Sequence, residues 1–299
     1  MDVYHEPVLL EESIEGLNIR AGGTYVDVTY GGGGHSRRIL EKLKGGKLVV
    51  FDQDEDASLN LIDDKRLIFV KHNFRYLKNF LKYYRIEKVD GILADLGVSS
   101  HDFDVPERGF SFRFEGKLDM RMNQEATLDA AKVINEYDES QLGEIFRIFG
   151  EIINWYRLAN TITIARANGY INSISQFLKI IEPCIPRKIE KKYLGQVFQA
   201  LRIEVNNEIG VLTEFLESTL DILKSSGRLV IISYHSLEDR LVKNFMRSGT
   251  VDGKLKQDFF GNTISPFNLI NRKIICPGED EIRRNPRGRS AKLRIAEKI

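Results

Sequence analysis

The chain has few cysteines and lacks any long apolar segment. Of its 299 residues only two are cysteine, Cys184 and Cys276, and they lie far apart in the sequence. This usage is typical of a reducing compartment rather than of a disulfide scaffold. The longest apolar runs, Leu48 to Phe51 and Leu229 to Ile232, are far shorter than the roughly 20 residues of a membrane helix. The first residues, MDVYHEPVLLEE, do not resemble a signal peptide, so we expect a cytoplasmic protein without a membrane partner.

The chain also has little net charge, because 44 Lys and Arg residues stand against 43 Asp and Glu residues, which gives a formal net charge of +1. A hydrophobic fraction of 42% with 29% charged residues excludes wholesale disorder, collagen-like repeats and a coiled coil. At roughly 150 residues per domain, the length predicts about two domains. The five histidines are scattered, without the spacing of a metal motif, so no metal site is expected.

Short β-branched or aliphatic runs recur along the first third of the chain, each followed by room for one helix. They begin near Thr24, Lys47, Leu67 and Val89. This rhythm is typical of βαβ units around a parallel sheet. We also expect a fifth strand at Arg228–Ser233 and two late strands near Lys273–Cys276 and Ala291–Ala296.

The strand rhythm stops after Leu96, and helical periodicity dominates until the strand at Arg228. The simplest architecture is an α/β domain that carries an inserted helical domain. We expect residues 1–105 and 196–299 to form the α/β domain and residues 106–195 to form the helical insertion.

A glycine-rich turn, Gly31 to Gly34, lies between the first strand and the first helix. Such a turn lets the backbone approach a ligand and directs the N–H groups of the helix N-terminus toward it. A Walker loop is disfavoured because no Lys follows the glycines. The dinucleotide fingerprint fits Gly31 and Gly33 but has Ser36 in place of its third glycine. A tight turn without a ligand is the remaining alternative.

Three aspartates, Asp27, Asp52 and Asp95, lie at the carboxyl ends of predicted strands, which converge on one crevice in a doubly wound sheet. Asp52 suits a ribose hydroxyl in either NAD or S-adenosylmethionine. Two more carboxylates would repel a pyrophosphate but attract a sulfonium and an ammonium group. The crevice therefore favours S-adenosylmethionine over NAD, although any single Asp could instead cap a helix.

Several longer motifs resemble those of the MraW family, S-adenosylmethionine-dependent methyltransferases that modify N4 of a decoding-centre cytosine in 16S rRNA of the small ribosomal subunit. The resemblance runs almost end to end and rests on Tyr4-His-Glu-Pro-Val-Leu-Leu10, Asp27-Val-Thr-Tyr-Gly-Gly-Gly-Gly-His-Ser36, Asp52-Gln-Asp54, Asp95-Leu-Gly-Val-Ser-Ser100, Arg108-Gly-Phe-Ser-Phe112, Leu118-Asp-Met-Arg-Met122, Phe198-Gln-Ala-Leu-Arg-Ile203, Ser233-Tyr-His-Ser-Leu-Glu-Asp-Arg240 and Asn285-Pro-Arg-Gly-Arg-Ser290. It implies a Rossmann-like class I methyltransferase domain with an inserted all-helical domain for substrate recognition.

The resemblance also implies a set of cofactor-binding residues. Asp52 would bind the ribose, and Phe74 and Asp95 would line the adenine and methionine ends. Where relatives commonly have a cofactor-binding Gln, this chain has Asp102. The remaining predicted contacts come from the glycine loop, namely Gly33, Gly34 and His35.

The placement of the cysteines argues against methylation at cytosine C5, which needs a cysteine nucleophile. Methylation at N4 can proceed by direct displacement, helped by acceptors that hydrogen-bond the amine. By position, Asp95 is the first candidate acceptor, with a contact to the cofactor as its rival role. Ser99 and Ser100 could orient the base. His235 could approach from the other side of the crevice or could simply cap a helix.

An RNA base that reacts must be unpaired and is commonly stacked on an aromatic ring. Phe110, Phe112 and Phe114 lie in an Arg-containing loop and could form either such a platform or plugs between domains. Basic residues cluster in two segments that could contact phosphates or form a solvated face. In the first, Arg187 to Lys192, four basic residues stand against one acid; in the second, Arg283 to Ile299, seven basic residues stand against one acid.

Two alternatives to an rRNA methyltransferase stay open from the residues alone. One is a non-catalytic ribosome-assembly factor that keeps the fold to bind RNA. The other is an NAD-dependent oxidoreductase. The sequence also leaves open whether the chain forms a homodimer.

Overall fold

The computed structural model describes residues 7–98, 103–261 and 263–299 and divides the chain into two compact units. The first unit runs to Gly97 and resumes at Ile209–Ile299, and the second is Val98–Glu208. The second unit is thus longer at both ends than the insertion expected at residues 106–195. The reason is packing, because Val98 and Phe103 already pack against the core of the second unit, and its buried residues continue to Val205.

The first unit is built on a seven-stranded sheet. In spatial order the strands are β3, β2, β1, β4, β5, β9 and β8, and the first five are parallel. The strands are β1 (Thr24–Asp27), β2 (Lys47–Asp52), β3 (Leu67–Lys71), β4 (Val89–Asp95), β5 (Leu223–Ser233), β8 (Phe267–Leu269) and β9 (Lys292–Lys298). The strand order reverses between β1 and β4, which is where a doubly wound sheet opens a crevice for ligands. This architecture confirms the predicted Rossmann-like fold.

Helices cover both faces of this sheet because its strands are apolar on both sides. Val49 and Phe51 of β2 face one core, and their neighbours Leu48 and Val50 face the other. Residues from the third, ninth and tenth helices pack on the first face, and residues from the first two helices pack on the second. In chain order these helices are α1 (Leu10–Leu17), α2 (Gly34–Lys42), α3 (Leu77–Tyr83), α9 (Glu208–Ile222), α10 (Ser236–Ser248) and a short α11 (Glu279–Arg284).

The later part of this unit corrects one expectation from the sequence. A strand at Lys273–Cys276 was expected, but only Ile275 pairs there, through an isolated bridge with Leu293 of β9. On that edge of β9, β8 pairs with Ala296–Lys298, and Ile275 reaches the edge farther along, at Leu293. A separate hairpin is formed by β6 (Lys256–Gln257) and β7 (Thr263–Ile264).

The ordered elements described in the second unit are helices and 3₁₀ turns, together with one isolated bridge between Lys117 and Ser173. Several helices begin at side-chain caps: Asp138 and Gln141 form a capping box, and Ser173 accepts from the N–H of Gln176. The helices are α4 (Ala130–Glu136), α5 (Glu139–Ile148), α6 (Trp155–Arg166), α7 (Ile174–Ile181) and α8 (Glu190–Asn206). Across the described residues of both units, no helix has the length and apolarity needed to span a membrane.

The phenylalanine loop contributes to the core of the second unit. Phe110 is buried there, and Phe112 packs edge-on against Phe198 of α8. Only Phe114 is exposed, at 42%. The first two rings are therefore part of the hydrophobic core, and the loop does not offer a platform of three rings.

Asn206, the last residue of α8, links this helix to the segment that contains Met120 and Met122. Its side-chain amide donates to the carbonyl of Met120 at 2.8 Å and accepts from the N–H of Met122 at 2.8 Å. Asn207 then adopts a left-handed conformation with φ of 49°, which ends the helix.

We expect Asn206→Ala to lower the free energy of unfolding by about 1–3 kcal/mol, because two partly buried backbone groups lose their partner. Calorimetric unfolding of the full chain would measure this change. The control is Asn207→Gly, which suits the left-handed backbone and should leave stability unchanged or raise it. Equal losses in the two variants would contradict this role of the Asn206 side chain.

Candidate functional site

The glycine loop after β1 brings the backbone close to the start of α2. Gly33 has φ of 74°, and a Cβ there would lie 2.7 Å from the Tyr30 hydroxyl oxygen. A Cβ at Gly34 would lie 2.2 Å from Cγ of Pro7. Side chains are therefore excluded at both positions. No side chain caps the N-terminus of α2 in the described residues, so its first N–H groups are available to a ligand.

Asp27 is the innermost of the three strand-end aspartates. Its carboxylate is 1% exposed and accepts from the Ser36 hydroxyl at 2.7 Å and from the N–H of Thr29 at 3.2 Å. Burial raises the pKa of Asp27 to about 7. The side chain joins β1 to the first turn of α2, and it contributes negative charge to the crevice without being accessible itself.

Asp52 lies at the end of β2 and faces the same glycine loop. Its carboxylate accepts from the N–H of Gly31 at 2.8 Å and from the N–H of Asp54 at 2.9 Å. Desolvation raises its pKa to about 6, although these hydrogen bonds act in the opposite direction.

Asp95 lies at the end of β4, on the other side of the strand reversal. Its Oδ1 accepts from the Tyr234 hydroxyl at 2.8 Å, and its Oδ2 lies 3.8 Å from Nδ1 of His35. Its backbone N–H donates to Oγ1 of Thr29 at 2.7 Å. Burial, together with the negative charges of Asp27 and Glu238, raises the pKa of Asp95 to about 7.

The three carboxyl groups therefore form one acidic cluster, in which Asp27 raises the pKa of Asp95 and Asp52 raises that of Asp27. Within residues 7–98, 103–261 and 263–299, no Lys or Arg forms an ion pair with any of them. Buried carboxylates without a cationic partner favour a positively charged ligand. The grouping predicted from the strand ends is thus present in the structure.

His35 opens α2 and is buried beside Asp95. Its Nε2 lies 3.2 Å from the carbonyl oxygen of Val8, so the proton is assigned to Nε2 and Nδ1 is an acceptor. Burial lowers the pKa of His35 to about 4, which keeps the ring neutral at physiological pH. The ring holds the N-terminal segment over the glycine loop and turns an acceptor toward Asp95.

Phe74 lies just after β3, where it opens a 3₁₀ turn capped by Asn73. Its ring packs edge-on against Phe215 at a centroid distance of 5.3 Å and is partly exposed. The Asn73 amide donates to Gln53, the residue after Asp52, at 2.8 Å. This contact ties the turn that carries Phe74 to the end of β2.

His235 forms the N-terminal cap of α10. Its Nδ1 accepts from the N–H of Glu238 at 3.4 Å, and its Nε2 lies 3.0 Å from the Glu238 carboxylate. The capping alternative therefore describes this residue, and its predicted catalytic role gains no support from its contacts. Ser99, Ser100 and Asp102 lie outside the described residues.

Sequence reasoning did not single out Tyr234, Thr29 or Ser36 as parts of this site. Tyr234 directly follows β5, and its hydroxyl donates a hydrogen bond to Asp95. Its position at a strand end, inside the motif that begins at Ser233, was the available signal.

The two basic segments differ in the share of their basic side chains that is exposed. The side chains of Arg187, Lys188, Lys191 and Lys192 are all exposed. In the C-terminal segment, by contrast, Arg294 is paired with Asp239 at 2.7 Å and Lys298 donates to the carbonyl of Leu220. That segment is not a free tail, because β9 lies between β5 and β8 in the sheet.

The family model described as the MraW methylase family matches residues 2–299. The chain belongs to this family. Membership of a methylase family confirms the expected cofactor, S-adenosylmethionine, and the expected reaction class, methyl transfer; the NAD-dependent alternative is therefore wrong.

Several relatives carry the name ribosomal RNA small subunit methyltransferase H. The protein from Bacteroides fragilis (strain YCH46) is 60% identical over 296 residues, which cover 99% of this chain and 97% of that protein. The Parabacteroides distasonis protein is 57% identical, with coverage of 99% and 98%. The Flavobacterium johnsoniae protein is 53% identical, also with coverage of 99% and 98%.

Among solved structures, an rRNA methylase from Streptococcus thermophilus aligns with a TM-score of 0.44 and 12% identity, covering 96% of this chain and 95% of that chain. A putative methyltransferase from Streptococcus mutans, in complex with SAH, aligns with a TM-score of 0.43 and 12% identity, covering 97% of each chain.

Asp27→Asn tests the electrostatic character of the crevice. The pKa of Asp27 in the folded protein, about 7, exceeds its ordinary value of 3.8, so folding takes up a proton between these pH values. Stability from this group therefore falls as pH rises through that window. Between pH 5 and pH 8 the stability of the neutral variant relative to the wild type should therefore rise by about 2–3 kcal/mol. Chemical denaturation of the cofactor-free protein at both pH values measures the difference.

The control for this experiment is Asp64→Asn. Arg66 lowers the pKa of Asp64 to about 2, so Asp64 stays ionised between pH 5 and pH 8. Its replacement should lower stability equally at both values. If Asp27→Asn also showed no dependence on pH, the carboxyl would not be destabilised by burial.

Proposed function

We propose that this protein transfers the methyl group of S-adenosylmethionine to the exocyclic N4 of a decoding-centre cytidine in 16S rRNA. The family match and the names of the relatives support methyl transfer to RNA of the small ribosomal subunit. The observation that carries the choice of N4 is the Asp95 carboxylate, whose Oδ2 lies at the end of β4 beside a neutral histidine.

The residues of the crevice fit a cationic nucleoside cofactor. Asp52 would bind the ribose hydroxyls, Phe74 would line the adenine, and the backbone of Gly33, Gly34 and His35 would follow the ligand. The unpaired carboxyl groups complement a sulfonium and an ammonium group, whose positive charges would favour the ionised carboxylates. When bound, S-adenosylmethionine supplies an electrophilic methyl group.

Asp95 has the chemistry that activation of an aryl amine requires. The lone pair of N4 is conjugated into the cytosine ring, so the amine is a weak nucleophile. A carboxylate that accepts an N–H of N4 draws the nitrogen toward a tetrahedral geometry and stabilises the positive charge that develops on it. The rival role of Asp95, a contact with the cofactor ammonium group, uses the same acceptor.

The cysteines support direct transfer without a covalent intermediate. Cys184 is 3% exposed in the core of the second unit, where its Sγ lies 3.3 Å from Oγ1 of Thr161. Cys276 follows the Ile275 bridge to β9, and β5 lies between β9 and β4. The Cys184 thiol is therefore buried within its own unit, and Cys276 is separated from β4 by β5, which does not favour either thiol as a nucleophile for C5 chemistry.

We expect the purified protein to transfer labelled methyl groups to small subunits from cells that lack its gene. Nuclease digestion and mass spectrometry should identify one N4-methylcytidine. Asp95→Ala should lower the transfer rate by about 100-fold or more, because the acceptor for N4 is lost. Asp64→Ala, which changes an aspartate paired with Arg66, is the matched control and should keep full activity.

The same experiment separates this proposal from its alternatives. C5-methylcytidine as the product would exclude N4 chemistry. RNA binding without transfer would favour the non-catalytic assembly factor. Full transfer by Asp95→Ala would overturn the role given to this carboxylate.

We further propose that the β6–β7 hairpin contributes aromatic rings to RNA binding. Phe259 and Phe260 at its turn are 98% and 85% exposed, and their rings meet edge-on at 5.7 Å. The hairpin turn is held by Asp258, which accepts from the N–H of Phe260 at 2.9 Å. Exposed rings of this kind stack on unpaired bases in RNA-binding proteins.

Replacing both Phe259 and Phe260 with Ala should weaken small-subunit RNA binding by about tenfold or more, since each stacked base contributes about 1–3 kcal/mol. The affinity for S-adenosylmethionine should stay unchanged, because the substitution alters only the exposed hairpin turn. Filter binding and calorimetry measure the two affinities. The matched control is Tyr83→Ala, which removes a ring that is 76% exposed on α3. Unchanged RNA affinity in the hairpin variant would contradict this role.

A further inference from the structure

Tyr234 is held firmly in the short connection between β5 and α10. Its backbone N–H donates to Oε2 of Glu238 at 2.9 Å, and Glu238 is itself fixed in the capping box with His235. The ring lies against Gly97, where φ is 121° and a Cβ would be only 3.1 Å from Cδ2 of the ring. Tyr234 is therefore held at its backbone N–H by Glu238 and at its ring by Gly97.

The hydroxyl of Tyr234 determines which oxygen of Asp95 remains available. It donates to Oδ1 at 2.8 Å, whereas Oδ2 faces Nδ1 of His35 at 3.8 Å. Nδ1 is an acceptor, because Nε2 carries the proton and donates to Val8. Two acceptors cannot bond to each other, so among the described residues His35 leaves Oδ2 available to accept from a ligand.

We propose that Tyr234 is a positioning residue that binds Oδ1 of Asp95 and thereby orients Oδ2 toward the amine that is methylated. This inference rests on the proposed function. Nothing in the reaction requires the tyrosine to touch the substrate, since it acts through the carboxylate alone. A hydrogen bond to an ionised group also favours the ionised form, which is the form that accepts from N4.

The charges around Asp95 make the hydrogen bond from Tyr234 important for the ionisation of this carboxyl group. Asp27 on β1 and Glu238 on α10 both act against ionisation of Asp95, and the neutral His35 on α2 does not offset them. Burial, together with the negative charges of Asp95, Glu238 and Glu281, raises the pKa of Tyr234 well above its usual value. The hydroxyl therefore keeps its proton and remains a donor throughout the working pH range.

Tyr234→Phe removes the donor and keeps the ring that packs on Gly97. The pKa of Asp95 should rise further, so the acid limb of the pH profile for methyl transfer should move up by about one pH unit. Transfer at pH 7 should fall by about fivefold and should largely recover at pH 9, with little change in KM for S-adenosylmethionine. A purely structural role for the hydroxyl would lower the rate equally at all pH values.

Tyr25→Phe is the matched control. Tyr25 is fully buried on β1, and its hydroxyl accepts from the N–H of Arg20, so the variant also removes one buried hydroxyl. Its pH profile should match that of the wild type. A profile of Tyr234→Phe that coincides with this control would overturn the proposal.

Two further measurements keep the test independent of folding and of the proposed function. Carbon-13 NMR of the aspartate carboxyl groups, with Asp95 assigned from Asp95→Asn, should show Asp95 titrating at higher pH in Tyr234→Phe. In addition, Asp95→Asn and the double variant should transfer methyl groups at equal rates, because the tyrosine acts through Asp95.

These measurements separate the two failures. A wild-type protein that transfers no methyl group contradicts the proposed function, whereas an unchanged Asp95 titration in Tyr234→Phe contradicts the role of the tyrosine. A double variant much slower than Asp95→Asn would also overturn it.

Discussion

The site depends on a chain of hydrogen bonds that begins at the buried carboxylate of Asp27. That carboxylate accepts from Ser36 in the first turn of α2 and from the backbone of Thr29, and the Thr29 hydroxyl in turn accepts from the N–H of Asp95. One buried acid thus sets the position of the glycine loop relative to β1 and the position of β1 relative to the end of β4. These hydrogen bonds connect β1 to β4, the two strands between which the strand order reverses. The same contacts therefore stabilise the fold and shape the crevice.

This arrangement carries an energetic cost that suits a cationic cofactor. Burial raises the pKa values of Asp27, Asp52 and Asp95, so the free protein keeps acidic groups that resist ionisation. A ligand that brings positive charge stabilises their ionised forms, and binding is therefore coupled to the loss of protons. The neutral His35 adds no competing positive charge. Among the described residues, the crevice thus holds buried acids without an ion-paired Lys or Arg, which favours a cationic ligand.

Much of the fold could be predicted from the sequence because it depends on local patterns. The spacing of β1 to β4, the glycine loop and the strand-end aspartates follow from residue type and periodicity. The break after Leu96 indicated an insertion, and the second unit indeed lies between β4 and the end of α8. The exact bounds could not be predicted, because Val98 and Val205 belong to the second unit through packing against residues distant in the sequence. The strand expected at Lys273–Cys276 is reduced to one bridge, between Ile275 and Leu293, because pairing with β9 depends on residues distant in the sequence.

The sequence by itself determined the class of chemistry, through acidic residues at strand ends, four glycines before a helix, and two cysteines placed away from both. Tertiary structure alone decided what each side chain does. It buried Phe110 in a core, made His235 a helix cap, paired Arg294 with Asp239 and directed the Tyr234 hydroxyl to one oxygen of Asp95. The physical reason is that residue type and periodicity act over a few neighbours. A hydrogen bond between positions 95 and 234, by contrast, forms only once β4 and β5 lie side by side.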